Sequence, residues 1–212
     1  MPMKMIGIFG GTFDPVHFGH LRPVLEICQD LSLNEVRWLP CGVPPHRDIP
    51  QASIEHRLAM TRLALEENVK FIVDDRETKR SGPSYTVNTL ESLREDYPDD
   101  SLVLILGQDA FNGLTEWHRW RDLLSLAHVV VCTRPGSQLA SSGQLIEWMS
   151  DKSVQDPNQL RIKLAGLIYK HDVIQLPISA TQIRKLYLQG ESPQYLLPDA
   201  VNEYIHTNGL YR

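Results

Sequence analysis

The sequence predicts an α/β protein built on a parallel sheet, because short apolar runs alternate along the chain with longer segments whose apolar residues have helical spacing. Two of these runs, Leu102–Leu106 and Val129–Cys132, are apolar at every position, as strands covered on both faces are. Three shorter runs are also typical of strands, and they lie at Ile6–Phe9, Val36–Leu39 and Phe71–Val73.

Helical segments connect these strands and continue after them. Ser53 is expected to cap a helix that runs through Arg57, and Thr86 is expected to cap a helix after the third strand. From Gln182 onward the chain has no strand pattern and is predicted to be helical. The apolar positions at helical spacing are Leu21, Val24, Leu25, Cys28 and Leu31; Met60 and Leu65; Val87, Leu90 and Leu93; Ile183, Leu186 and Tyr187; and Ala200, Val201, Tyr204 and Ile205.

Repeated strand–helix–strand units with apolar strands are typical of a Rossmann-like, doubly wound parallel sheet with right-handed crossovers. The predicted C-terminal helices follow the last of these strands. With 212 residues, the chain is long enough for one sizeable domain and short for two. A single domain over residues 1–212 is therefore expected.

Composition excludes several classes of function. The chain has 21 Lys and Arg against 26 Asp and Glu, and a net charge of −5 argues against nonspecific binding to nucleic acid. Cys28, Cys41 and Cys132 have no CxxC spacing and lie in apolar surroundings, which indicates reduced, buried thiols rather than a zinc site. No segment resembles a signal peptide, and none approaches the roughly 18 apolar residues of a membrane span. We expect a cytoplasmic protein with no membrane or nucleic-acid partner, and no oligomeric state follows from the sequence.

The segment Gly10–His20, which follows the first strand, has the composition of a ligand site. Glycines at the end of a strand let a ligand approach the backbone, and the free N–H groups of the following helix attract an anion such as phosphate. His17 and His20 are spaced i, i+3, so a helix that begins before them brings both imidazoles to one face beside that anion. Asp14 and Pro15 in this segment also have a purely structural interpretation, in which Asp14 caps the helix and Pro15 is its first residue.

Polar loops follow other predicted strands as well. Gly42–Arg47 follows the second strand, Gly107–Asp109 the fourth and Thr133–Gly136 the fifth. Such residues are common in any loop. Because ligands bind at the carboxyl ends of the strands in open α/β sheets, their repetition predicts that these loops line one crevice.

Two segments resemble the signatures of the nucleotidylyltransferase superfamily, whose members join a nucleoside triphosphate to a phosphate monoester and release pyrophosphate. Gly11–His20, which reads GTFDPVHFGH, is similar to the (T/H)xGH signature. Ile178–Arg184, which reads ISATQIR, is similar to the signature ISxTxIR, although Ser179 or Thr181 is also suited simply to cap a helix. Both signatures in this order are far more specific than either alone.

Within that superfamily, the chain resembles the bacterial nicotinate-nucleotide adenylyltransferases over essentially its whole length. The similar positions are Pro44–His46, Ser84–Thr86, Thr89–Leu90, Gly107–Asp109, Trp117, Arg134–Gly136, Leu197–Pro198, Tyr204–Ile205 and Gly209–Tyr211. The resemblance implies adenylyl transfer from ATP to nicotinate mononucleotide, giving nicotinate adenine dinucleotide and pyrophosphate in a late step of NAD synthesis. The chain departs from that family at two positions: Arg47 stands where a lysine is common, and His118 where an aromatic residue is common. These departures put the contacts with the substrate in doubt more than the reaction itself.

The resemblance also implies which residues form the site. Catalytic roles are expected for His17, His20, Thr12 and Arg184. The residues expected to bind ATP are Gly10, Gly11, Thr12, Phe13, His17, His20, Gly107, Asp109, Ile178, Ser179, Thr181 and Arg184. The residues expected to bind the mononucleotide are His46, Arg47, Tyr85, Thr86, Asp109, Trp117 and Arg134.

These residue types suit the chemistry. A phosphate monoester has a second pKa near ~6 and is already mostly dianionic at neutral pH, so the reaction requires neither a general base nor a covalent intermediate. The barrier lies in bringing two anions together and stabilising charge on the phosphates. His17 and His20 are expected at the reacting phosphates, and Arg184 with the hydroxyls of the second signature at the β- and γ-phosphates. Mg²⁺ is expected to arrive with ATP on phosphate oxygens and water, without protein side chains as ligands.

Other functions stay open on the residues alone. An adenylyltransferase for nicotinamide mononucleotide or phosphopantetheine, or a glycerol-phosphate cytidylyltransferase, would use the same two signatures, although Ser84–Thr86 and Trp117 argue against the latter two. A non-catalytic nucleotide sensor would not need both histidines together with Arg184. A fragment of a class I aminoacyl-tRNA synthetase would be expected to carry a basic face or an anticodon-binding domain.

Overall fold

The computed structural model describes residues 3–45, 49–133 and 143–212. In this part of the chain the strands are β1 (Met5–Gly11), β2 (Glu35–Pro40), β3 (Phe71–Val73), β4 (Ser101–Gly107), β5 (His128–Thr133), β6 (Ser153–Val154) and β7 (Ile168–Asp172). The α-helices are α1 (Phe18–Asp30), α2 (Ile54–Leu65), α3 (Thr86–Asp96), α4 (Gln108–Asn112), α5 (Leu123–Leu126), α6 (Gly143–Met149), α7 (Ala180–Leu188) and α8 (Asp199–Thr207). Short 3-10 helices lie at Leu114–Glu116, Trp120–Asp122 and Pro157–Arg161.

The described strands form one seven-stranded sheet in the order β3-β2-β1-β4-β5-β7-β6. The pairs β1–β4, β4–β5, β5–β7 and β6–β7 are parallel, with Met5 opposite Ser101 and Val103 opposite His128. The chain runs outward from β1 to β3 and then returns to the other side of β1 with β4, which is the doubly wound, Rossmann-like arrangement that the sequence predicted.

The core lies around the central strands. Every residue of β5 is buried, as is every residue of β4 except Gly107. On β1, Gly7 allows close packing, because a Cβ atom there would lie 2.8 Å from the Leu33 side chain and 3.1 Å from that of Val36. The continuous apolar runs of the sequence are therefore the buried centre of the sheet.

The five strands predicted from the sequence are present, and two strands were missed. In β7 only Ile168 is buried, and the partly exposed and exposed residues after it include Lys170 and His171, so the strand has no continuous apolar run. β6 has only two residues and pairs with β7. β7 is a strand because it pairs with the buried strand β5, and its own composition does not indicate one.

Two of the predicted helix caps are present. Ser53 accepts a hydrogen bond from the backbone N–H of His56, and Ser179, rather than Thr181, accepts one from Gln182. The prediction that Thr86 caps α3 is wrong, because Thr86 is the first helical residue and the extended residue before it, Tyr85, makes no side-chain cap.

Contacts divide the chain into two compact units. The first contains Met1–Phe9, Glu26–Val36 and Tyr85–Ile174, and the second contains Gly10–Leu25, Arg37–Ser84 and Gln175–Arg212. The prediction of one domain over residues 1–212 stays a prediction. No helix in the described residues is long and apolar enough to cross a membrane. Cys28, Cys41 and Cys132 form no disulfide bond; Cys28 and Cys132 are buried and Cys41 is partly exposed.

Candidate active site

Both signature segments lie in the second unit. The first of them begins at the end of β1. Gly10 and Gly11 are the last two residues of the strand rather than the first residues after it. Phe13 adopts a left-handed backbone conformation, with φ of 50°, and its ring is buried. A Cβ atom on Gly11 would lie 2.6 Å from that ring, so Gly11 leaves the space that Phe13 occupies.

The Phe13 ring supports the second histidine. Its centroid lies 5.3 Å from that of His20 in an edge-on contact and 5.5 Å from that of Trp38. Aromatic rings in such contacts are held in orientation as well as in place. The ring of Phe13 therefore holds the His20 imidazole in place, and the expected contact of Phe13 with ATP stays a prediction.

His17 and His20 lie against each other, with ring centroids 3.7 Å apart and ring planes 23° apart. The helix that holds them begins later than expected, since α1 starts at Phe18 and the carbonyl of His17 accepts hydrogen bonds from the N–H groups of His20 and Leu21. The spacing nonetheless brings the two imidazoles together. They form one surface at the start of α1, where backbone N–H groups favour an anion.

Burial gives His17 an unusual charge state. Its side chain is 4% exposed, and desolvation lowers its pKa from 6.5 to about 4. At neutral pH the His17 imidazole is therefore uncharged and can donate one N–H, while His20 is partly exposed. The Nδ1 atom of His17 has no hydrogen-bond partner among the described residues.

Gly19 brings the second signature close to these histidines. A Cβ atom on Gly19 would lie 2.9 Å from His17 Nδ1 and 2.9 Å from the carbonyl oxygen of Ile178. Any larger residue at this position would separate the start of α1 from the residue that opens the second signature. The glycine is thus required by this close approach.

Arg184 on α7 also joins the two signatures. Its Nη1 donates to the backbone oxygen of Asp14 at 2.7 Å, and its Nη2 donates to Thr181 Oγ1 at 3.3 Å. The side chain is 22% exposed, and its Nε is buried without a partner among the described residues. Ser179 and Thr181 are exposed at the start of α7. The structure therefore brings Arg184, Thr181 and the backbone of Asp14 in the first signature together.

Asp14 does not cap α1, and the reason is its own set of hydrogen bonds. Its carboxylate accepts from the backbone N–H of Gln51 at 2.8 Å, from that of Ala52 at 3.1 Å and from the hydroxyl of Tyr211 at 2.6 Å. The helix begins four residues after Asp14. Asp14 is 4% exposed and serves as a buried acceptor that holds three segments together.

Arg57 is buried beside the first signature, like Asp14, and the sequence did not indicate its role. This residue of α2 is 1% exposed and donates to the carbonyl oxygens of Thr12 at 2.8 Å, Cys41 at 2.7 Å and Gly42 at 3.3 Å. Desolvation lowers its pKa from the usual value for arginine. Because it binds carbonyls from the segments that follow β1 and β2, Arg57 fixes both segments. In the sequence it appeared only as one position of an amphipathic helix.

The first unit holds the other predicted residues that the structure describes. Tyr85 and His118 pack ring against ring with centroids 4.3 Å apart, so His118 retains a ring contact although it departs from the family's usual residue. Thr86 begins α3, Trp117 is partly exposed after a 3-10 helix, and Asp109 is exposed in α4, which follows Gly107. Three predicted residues, His46, Arg47 and Arg134, lie outside the described residues.

Among the described residues, no group of three or more His, Cys, Asp or Glu side chains has the arrangement of a metal site. The donors at the start of α1 and α7 are imidazole, hydroxyl and guanidinium groups, which suit phosphate oxygens rather than a hard cation.

The sheet, the paired histidines and the arginine of the second signature define a nucleotide-binding α/β protein. The chain matches the cytidylyltransferase-like family over residues 8–186, and it belongs to that family. Its relatives include proteins named as probable nicotinate-nucleotide adenylyltransferases. One from Methylococcus capsulatus is 50% identical over 208 residues, which cover 98% of this chain and 99% of the relative. One from Yersinia pestis is 45% identical and covers all of both chains.

Solved structures share the fold. The nicotinic acid mononucleotide adenylyltransferase of Plasmodium falciparum, in complex with NaAD, aligns with a TM-score of 0.75 and 18% identity over 98% of this chain and 97% of that one. A putative nicotinate-nucleotide adenylyltransferase from Vibrio parahaemolyticus aligns with a TM-score of 0.68 and 16% identity, covering 99% and 96% of the two chains. At these identities the likeness concerns the fold alone.

Proposed function

We propose that this protein transfers the adenylyl group of ATP to nicotinate mononucleotide, giving nicotinate adenine dinucleotide and pyrophosphate. The observation that carries the proposal is that Arg184 of the second signature bonds the backbone of the first beside the stacked His17 and His20. This is the donor set that a triphosphate needs. Relatives 45–50% identical over nearly the whole chain are named for this activity.

The reaction is an attack by the phosphate of the mononucleotide on the α-phosphorus of ATP, with pyrophosphate leaving. The attacking phosphate is already anionic at neutral pH, so the protein's work is to position the two substrates and stabilise charge. A neutral His17 still has one ring N–H, which can donate to a phosphate oxygen although the buried imidazole carries no charge. His20, at ring-contact distance, donates to the same region.

Arg184 and its neighbours are assigned to the outer phosphates. Two of the guanidinium N–H donors hold Asp14 and Thr181, and the remaining donors are free to bind the β- and γ-phosphates in the planar manner that a lysine cannot reproduce. Ser179 and Thr181 add hydroxyls at the N-terminus of α7. Mg²⁺, bound through phosphate oxygens and water, would supply further charge neutralisation when ATP is present.

The pyridine ring of the mononucleotide is assigned to the aromatic residues of the first unit. The face of Trp117 attracts a cationic pyridinium, and the ring contact between Tyr85 and His118 places a second aromatic surface in the same unit. The carboxylate of nicotinate requires N–H donors, for which the backbone near Tyr85 and Thr86 is suited. Stacking serves acid and amide alike, whereas these donors would leave an amide poorly matched.

The experiment is to offer ATP or CTP with each candidate phosphate monoester and to measure pyrophosphate release. The monoesters are nicotinate mononucleotide, nicotinamide mononucleotide, phosphopantetheine and glycerol phosphate. We expect ATP with nicotinate mononucleotide to be preferred over the amide by at least ~10² in kcat/KM. Equal values for acid and amide would indicate a dual-specificity enzyme. Release only with phosphopantetheine or with CTP would contradict the proposed substrate, and nucleotide binding with no release would indicate a sensor.

A further inference from the structure

The C-terminal end of the described chain reaches the first signature. Tyr211 is the penultimate residue, and its hydroxyl donates to Asp14 Oδ1 at 2.6 Å across 197 positions of sequence. Burial and the hydrogen bond to Asp14 raise the pKa of Tyr211 well above its usual value. The hydroxyl therefore stays protonated and remains a donor at any pH at which the protein works.

Asp14 is a shared point of contact for Tyr211 and Arg184. Arg184 Nη1 donates to the backbone oxygen of Asp14 at 2.7 Å, whereas its ion pair with the carboxylate Oδ2 is long, at 3.8 Å, and is not a hydrogen bond. The carboxylate instead takes three short hydrogen bonds, from Tyr211 and from the backbone N–H groups of Gln51 and Ala52. With these three donors, the buried Asp14 carboxylate is hydrogen-bonded without the guanidinium of Arg184.

We infer that Tyr211 is a positioning residue for ATP binding: by donating to the Asp14 carboxylate, its hydroxyl keeps Arg184 directed at the triphosphate instead of into a closer, hydrogen-bonded ion pair with that carboxylate. The inference rests on the proposed role of Arg184. If the hydroxyl is removed, Asp14 Oδ1 loses a donor in a site with 4% exposure. A buried carboxylate that loses a donor attracts a neighbouring cation more strongly, and Arg184, already paired with Asp14 Oδ2 at 3.8 Å, needs to move by only about 1 Å to turn that ion pair into a hydrogen-bonded one.

The chain offers a matched control on the same helix as Arg184. The hydroxyl of Tyr187 donates to Asn202 Oδ1, also at 2.6 Å, and the Tyr187 side chain is buried in the same unit. Its ring centroid lies 6.0 Å from that of Tyr211. Tyr187→Phe therefore removes an equally short hydrogen bond in the same surroundings without touching Asp14.

The test measures binding of ATP and of AMP, each with Mg²⁺, by calorimetry on the full-length protein without the second substrate. We expect Tyr211→Phe to raise the Kd for ATP by ~3- to 10-fold and to leave the Kd for AMP, which has no β- or γ-phosphate, within about 2-fold. Tyr187→Phe should change neither. In an Arg184→Ala background, Tyr211→Phe should add no further loss of ATP affinity, because the two changes act through one group.

Melting temperatures of both tyrosine variants are measured alongside, since a purely structural role would lower stability and weaken ATP and AMP alike. Equal weakening of the two nucleotides, or an ATP affinity equal to that of Tyr187→Phe, would overturn the inference. Failure of the proposed function looks different: Arg184→Ala itself would then leave ATP binding unchanged relative to AMP. A loss with Arg184→Ala but none with Tyr211→Phe rejects the positioning role and keeps the ATP site.

Discussion

Burial of His17 predicts a specific loss of stability in acid. The imidazole is 4% exposed, and desolvation lowers its pKa to about 4 in the folded protein, against 6.5 for an exposed histidine. Well above pH 6.5 the imidazole is neutral in both states and contributes no pH dependence. Between pH 6.5 and about 4 the unfolded chain binds a proton that the folded protein rejects, so the free energy of unfolding falls as the pH falls.

The magnitude follows from the two pKa values. The full difference between 6.5 and about 4 corresponds to a loss of about 3 kcal/mol at pH values below 4. Between pH 7.5 and pH 5.0, linkage of one proton gives a loss of about 2 kcal/mol. That is a large part of the ~5–15 kcal/mol by which a typical domain is stable.

The assay is urea denaturation of the wild-type protein and of His17→Asn at pH 7.5 and pH 5.0. All other titrating groups are shared, so the difference between the two pH dependences isolates His17. We expect the wild-type protein to lose about 2 kcal/mol more than the variant on acidification. Equal losses in the two proteins would refute the argument that His17 is buried in the neutral form.

The remaining predictions concern activity and the buried arginine. His17→Ala and His20→Ala should each lower kcat by ~10²–10⁴-fold while the protein stays folded, and near wild-type turnover at saturating ATP and Mg²⁺ would remove that residue from the reacting centre. Arg184→Lys should lower kcat/KM for ATP by ~10-fold or more, because a lysine has no planar guanidinium that can bond the Asp14 backbone and a phosphate at the same time. An unchanged value in an ATP titration would contradict this. Trp117→Ala should raise KM for the acid and amide mononucleotides to a similar extent, by up to ~30-fold, and an effect on only one of them would exclude stacking as its role. Arg57→Leu leaves three carbonyl oxygens without their donor and should lower the free energy of unfolding by ~3–5 kcal/mol, as measured by denaturation; a change under ~1 kcal/mol would show that those carbonyls find other partners.

The sequence alone determined the parts of this protein whose cause is local. β4 and β5 were predictable because a strand covered on both faces must be apolar throughout, and the cap at Ser53 because its hydroxyl bonds an N–H three residues away. For α7 the sequence left the cap open between Ser179 and Thr181. The spacing of His17 and His20 likewise indicated that their rings would meet.

Tertiary structure decided the features whose partners lie far apart in the chain. β7 is a strand because β5 and β6 pair with it, and its own residues are too polar to indicate a strand. Asp14 looked like a helix cap because aspartate favours that position locally, whereas N–H groups 37 and 38 residues away and the hydroxyl of Tyr211 take its carboxylate instead. The charge state of His17 follows from desolvation by the fold, and the role of Arg57 from carbonyls that only the folded chain brings together. Local pattern thus specifies which residue types stand at the site, and burial and long-range hydrogen bonds decide how each of them is charged and oriented.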